Sequence, residues 1–231
     1  MMNGILQKGL DRRKLLGSLG IGTGALMLGG CATYQDRVTN VIERLLLLSS
    51  ERAFARLTAP GGFWDRQVAQ IGLDGFLGAR GNVLASILTS GLVKSRLERE
   101  FAGFAVDASE RAAPVIFDTI QVIGVRNTID LITGGPTAAT AYLRAQAGNR
   151  VIDAMVPELG DAMRVAQDPL VGQIVSSLAG IDVGGVAGRV ANEVNDTIWT
   201  EIAREEAAIR ADPRSTNDPV LIGAFGLAGQ R

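Results

Sequence analysis

The sequence predicts an all-α fold: a single helical-bundle-like domain of about seven to nine helices, placed after an N-terminal stretch of different character. Three observations predict it. Apolar residues recur at spacings of three and four over long segments, which sets them on one face of a 3.6-residue period. No segment shows sustained apolar–polar alternation closed by hairpin turns. Of the 231 residues, 47% are hydrophobic and 20% charged, so a real core can form and disorder is disfavoured. No internal repeat of solenoid length is present.

The elements follow in order. Residues 37–58 make the first predicted helix, dense in apolar side chains around Leu45-Leu46-Leu47-Leu48 and stopped by Ala59-Pro60-Gly61-Gly62. Residues 63–81 are punctuated by glycine and read as a loop with one short helical turn. Residues 83–91 form a short apolar helix, and a long one covers about 92–123. In the long one Leu97, Phe101, Phe104, Ala108, Ala112, Val115, Thr119 and Val122 make one stripe. Pro114 lies inside it and should kink it, and Gly124 closes it. A short helix at 127–133 ends on Gly134-Gly135. Pro136 opens the next helix, which is predicted to run unbroken to residue 156 before Pro157. Asp168-Pro169 reads as the N-cap and first residue of a helix reaching residue 178. The last long helix covers 186–211, follows a glycine-loosened stretch and ends at Asp212-Pro213. The tail from residue 214 is expected to be partly irregular.

The first thirty residues read as an export signal. A polar opening ends in Arg12-Arg13-Lys14, and residues 15–30 then carry no charge. That run is short for a permanent membrane span, and six glycines weaken it as a helix. Leu28-Gly29-Gly30-Cys31 resembles a lipobox, in which the Cys31 thiol first takes a diacylglyceryl group, the small residues before it let the peptidase seat the backbone, and the amine is acylated later. Acyl chains contribute about 0.8 kcal/mol per buried CH₂, so the three chains of a bacterial lipoprotein would anchor the protein to the membrane durably. The residue after the cysteine is Ala32, not Asp, which favours the inner leaflet of the outer membrane over retention at the inner one. Asp11-Arg12-Arg13-Lys14-Leu15-Leu16 also resembles a twin-arginine motif; an ordinary basic segment for the general secretory route is the alternative. The organisation expected is therefore a signal at 1–30, an acylated tether at 31–36 and an all-α periplasmic domain at 37–231.

Removing the signal takes away four bases and one acid from a chain of net charge −1, leaving −4. A mildly acidic body gives no bulk attraction for nucleic acid or anionic lipid, so nucleic acid is not an expected partner. There is no His and only one Cys. Ser-His-Asp triads, Cys-His nucleophiles and zinc sites of the usual His/Cys type are excluded. No cofactor, metal or catalytic residue is assigned.

Two places stand out. In the last helix Val194, Ile198, Ile202 and Ile209 form the apolar stripe, with Glu205 in its middle and Glu206 at its flank. A carboxylate facing a core must be paired or neutralised. Glu205, Glu206 and Arg210 are thus a candidate buried polar or ligand site, with a structural ion pair to a neighbouring helix as the plainer reading. The second place is Phe63-Trp64 after a glycine turn. It is a candidate aromatic lip for a ligand or partner, or else a plug between helices.

Several blocks resemble one family in order and spacing: Ser50-Glu51-Arg52-Ala53-Phe54-Ala55-Arg56-Leu57 with Gly62-Phe63-Trp64; Ala112-Ala113-Pro114; Thr128-Ile129-Asp130-Leu131-Ile132 with Gly134; Ala138-Ala139-Thr140-Ala141-Tyr142-Leu143; and Glu205-Glu206-Ala207-Ala208-Ile209-Arg210-Ala211-Asp212-Pro213 with Phe225-Gly226. The chain resembles the bacterial lipoproteins known as domain of unknown function 4197, over about residues 41–226. The resemblance implies a helical, exported, lipid-anchored protein and carries no activity or catalytic residue. The expectation is a non-enzymatic binding or scaffolding module in the periplasm, held to the membrane through Cys31 and meeting an envelope protein, a lipid or a peptidoglycan fragment. The alternatives are a carboxylate-dependent cell-wall hydrolase or lyase, and a helical carrier of an apolar ligand.

Overall fold

The computed structural model describes residues 29–77, 91–123, 128–156 and 183–226. Among them every regular element is helical and none is a strand. The chain divides into two compact units, Met1–Arg37 and Val38–Arg231. The second carries the core. The export-motif residues Arg12 and Arg13 lie outside the described residues, as do positions 83–90 of the helix expected at 83–91, the helix expected at 168–178 and the breaking Pro157.

Helix α1 spans Gly29–Leu57, so the stretch 31–36 is helical backbone. Thr58 and Ala59-Pro60-Gly61-Gly62 end the helix as expected, with Gly61 at φ +62°. Helix α2, Phe63–Leu77, replaces the loop expected there. Gly72 and Gly75 within it cost about 1 kcal/mol each. Burial of Trp64 and Val68 offsets this, since a fully buried apolar side chain stabilises by about 1.5–3 kcal/mol.

Helix α3, Gly91–Val122, is the expected long helix with Pro114 inside. Its buried line follows the expected stripe through Leu97, Phe101, Phe104, Ala108 and Ala112, then shifts by one residue to Ile116 and Ile120, with Thr119 still buried. Val122 is 76% exposed and leaves the core. Pro114 itself sits on the exposed side, where the missing donor is least harmful. Ser109 and Thr119 each donate to the carbonyl four residues back (Ala105, 2.7 Å; Val115, 2.6 Å), a habit that bends helices.

Helix α4, Thr128–Thr133, is short. Helix α5, Ala138–Ala147, stops before the expected end because Gly148 takes φ +56°, ψ −137° and donates its N–H to the Arg144 carbonyl. A separate helical stretch follows at 150–156. Arg150 clasps the junction: its Nε donates to Ala147 O (3.2 Å) and its Nη2 to Gln146 O (3.1 Å) and Thr119 Oγ1 (3.2 Å). Helix α6, Val183–Ala211, absorbs Gly184, Gly185 and Gly188 that were expected to loosen its start. A 3-10 turn at Pro213–Thr216 and helix α7, Pro219–Phe225, give the tail more order than expected.

Helix α6 runs through the middle of the fold, against α2, α3, α5 and the 3-10 turn. Ala187, Val190, Ala191, Val194, Ile198, Trp199, Ile202 and Ile209 are all buried along it. Helix α1 joins the same core through Ile42, Leu45, Leu46 and Leu57, and Phe54 meets Phe117 of α3 with ring centroids 5.9 Å apart. The tail is tied back to α1 by polar contacts: Arg44 pairs with Asp218 at 2.6 Å, and Arg52 donates to Ser215 O at 3.3 Å.

Candidate functional site

Two groups of polar side chains lie on α6, and they have different fates. The first is Glu206 with Arg210. Glu206 is fully buried, and its carboxylate accepts the backbone N–H of Ala139 (3.1 Å) and Thr140 (2.7 Å), the unpaired donors of the first turn of α5. Thr137, the N-cap residue, makes no side-chain cap of its own, so Glu206 supplies that cap from another helix. Arg210 Nε donates to Glu206 Oε1 at 2.8 Å, and Nη1 and Nη2 donate to the Ile132 and Leu131 carbonyls at the end of α4 (3.0 and 2.7 Å). The guanidinium lies 4.8 Å from the centre of the Phe225 ring. One ion pair thereby joins α4, α5, α6 and α7. With no exposure and both carboxylate oxygens accepting hydrogen bonds inside the protein, Glu206 serves as a structural anchor.

The second group faces a cleft of about 640 Å³ between α2 and α6, with Arg56 of α1 at its side. On α2 the lining residues are Phe63, Arg66, Gln67 and Gln70; on α6 they are Glu193, Asp196, Thr197, Thr200, Glu201 and Arg204. Both sets recur at three and four residues, so each helix turns one polar stripe toward the other. The volume is in the usual range for small-molecule sites.

Arg56 organises the inner end. Its Nη2 lies 2.8 Å from Glu205 Oε1, to which it donates, and 2.5 Å from Glu201 Oε2. The second approach is close but misaligned: Glu201 Oε2 accepts no hydrogen bond, and Arg56 Nε donates none. Glu201 is 6% exposed. Arg204 Nη1 stands 3.8 Å from its other oxygen, and that arginine's side chain is largely in solvent. Glu201 is therefore held by ion pairing with Arg56 and Arg204, whereas Glu206 is held by three aligned hydrogen bonds.

The sequence-predicted residues divide accordingly. Glu205 and Glu206 are adjacent in sequence but serve separate groups, and Arg210 belongs with Glu206. Glu206, expected at the flank of the stripe, is the fully buried one, because Asn195, Trp199 and Glu206 widen the buried band of α6 beyond its apolar centre. Glu205, expected at the middle, is partly exposed and paired with Arg56, the plainer reading. Trp64 is not part of a lip. It is 1% exposed, and its Nε1 donates to Ser109 Oγ at 3.1 Å. Phe63 stands edge-on to it at 5.3 Å, half-buried, and does line the cleft. Cys31 falls within α1. The residues missed were Arg56, Glu193 and Glu201 with the polar stripe of α2. Thr197, Glu201 and Glu205 recur every four residues beside the apolar stripe, and that spacing was the available signal.

Among the described residues no group of three or more His, Cys, Asp or Glu side chains could hold a metal ion, and no helix is long and apolar enough to cross a membrane. Residues 32–226 match the model of a family described as protein of unknown function, DUF4197. No curated protein and no solved structure matches the chain.

Proposed function

The chain belongs to the DUF4197 family, and from that premise we propose that it is an exported, lipid-anchored envelope protein whose periplasmic body is a non-enzymatic binding module, with its ligand seat in the cleft between α2 and α6. The address rests on the sequence alone: the basic Arg12-Arg13-Lys14, the uncharged run behind it, and Leu28-Gly29-Gly30-Cys31. Ala32 after the cysteine favours the outer membrane. The observation that carries the binding role is a cleft lined from two facing helices, with Arg66 on one wall and Glu193 on the other and neither held in an ion pair among the described residues. Elsewhere on α6 the buried carboxylate of Glu206 accepts three hydrogen bonds and is ion-paired with Arg210.

A wall-cleaving role finds little support. Of its two candidate carboxylates, Glu206 is sealed inside the protein and Glu205 is held by Arg56. A carrier of an apolar ligand would need an apolar cavity, whereas this cleft has one aromatic side chain among charged and amide groups. The test is photo-crosslinking in intact cells from Gln70, in the cleft, and from exposed Glu110, outside its lining. An adduct from Gln70 alone is expected. No adduct from Gln70, or equal adducts from both positions, would overturn the reading.

A further inference from the structure

We infer that the α2–α6 cleft takes a dipolar ligand, a short peptide or amino acid bearing both a free carboxylate and a free ammonium; this rests on the binding-module reading above. The charges left after internal pairing point to that class. Arg56 is committed to Glu201 and Glu205, and Asp196 to Arg144. Glu201 is also taken up, by Arg56 and by a longer 3.8 Å approach of Arg204. What remains is Arg66 on the α2 wall and Glu193 on the α6 wall. Neither Arg66 nor Glu193 has an ion pair among the described residues. The α2 wall thus offers a guanidinium, which matches a carboxylate bidentately, and the α6 wall offers acceptors for an ammonium. Gln67 and Gln70 between them each present one carbonyl and one NH₂, the complement of a peptide unit.

A purely anionic ligand would face Glu193 and Glu201, and a purely cationic one would face Arg66 and Arg204. Like-charge placement of this kind excludes partners more strongly than matched charge attracts them. Two sources share the required chemistry: free oligopeptides, and the peptide stems of wall fragments.

The experiment uses the lipid-free mature body and follows the side-chain amide NMR signals of Gln67 and Gln70. The probes are trialanine, the same peptide with acetylated and amidated ends, and soluble fragments of muramidase-digested sacculi. Trialanine or the wall fragments should shift these signals, and the blocked peptide should bind about tenfold or more weakly than trialanine. Wall fragments acting where trialanine does not, with loss of the effect once their free amines are acetylated, identify the wall as the source. Arg66→Met and Glu193→Gln, both away from the core, should each weaken binding about tenfold. The dipolar assignment falls if blocked and free forms bind alike, or if wall fragments bind regardless of amine acetylation; in either case the cleft reading survives. If no probe moves the Gln67 or Gln70 signals, the dipolar assignment is overturned, while crosslinking from Gln70 judges the cleft separately.

Discussion

At the scale of single residues, two adjacent glutamates answer to different physics. Glu206→Ala leaves Arg210 buried without its partner and strips the first turn of α5 of its cap. Breaking a buried pair by removing one partner costs about 3–5 kcal/mol, so chemical denaturation of this variant should show a loss of that size. Glu205→Ala leaves Arg56 with Glu201 and a route to water, and should cost about 1 kcal/mol or less. Equal losses would mean that the division into a structural pair and a cleft group is wrong. Asp218 gives a pH test. Partial burial opposes its ionisation, but the hydrogen bond from Arg44 and the N–H groups of Val220 and Leu221 outweigh this and hold its carboxyl below the usual range. The folded state thus favours the ionised form. Its contribution is full above the unfolded value of about 4 and is lost as pH falls through the lower folded value. Asp218→Asn keeps an N-cap acceptor and removes the charge. Wild type should be the more stable at neutral pH, and the two should converge in the acid range; a constant gap from pH 7 to pH 3 would contradict this.

At the scale of elements, glycine and proline decided where sequence reading succeeded. The end of α1 at Pro60-Gly61-Gly62 and the N-terminus of α7 at Asp218-Pro219 obey local chemistry, and the first was legible. Helix α2 was not, because Gly72 and Gly75 look like loop residues until Trp64 and Val68 are placed in the core, and that is a tertiary effect. The break at Gly148 was missed for the opposite reason. A single glycine inside a helical pattern is usually tolerated, and only its positive φ shows that it turns the chain. A β-carbon on Gly148 would meet no atom within 4 Å, so Gly148→Ala reports backbone strain alone. Thermal unfolding should show a loss of about 1–2 kcal/mol; no loss would mean that α5 can run on through this position. The cleft was illegible on similar grounds. A polar stripe facing another polar stripe has the same periodicity as one facing water, and only the packing of α2 against α6 tells them apart.

At the scale of the whole molecule, the all-α class and the family followed from periodicity and from ordered sequence blocks, since each depends on patterns spread over the chain. The proposed ligand class did not, because it depends on which charges are left over after internal pairing. The setting proposed for the cleft depends on an acyl anchor at Cys31, which is itself a proposal from the sequence. Cys31→Ser should shift the protein out of the membrane fraction, because bulk charge gives it no attraction to anionic lipid and no helix among the described residues is long and apolar enough to cross a membrane. The most direct measurement is the intact mass of the native protein extracted from membranes. The account predicts a chain beginning at Cys31 and carrying three acyl chains. A chain that still begins at Met1, or one cut before Cys31 and bearing no fatty acid, would contradict it.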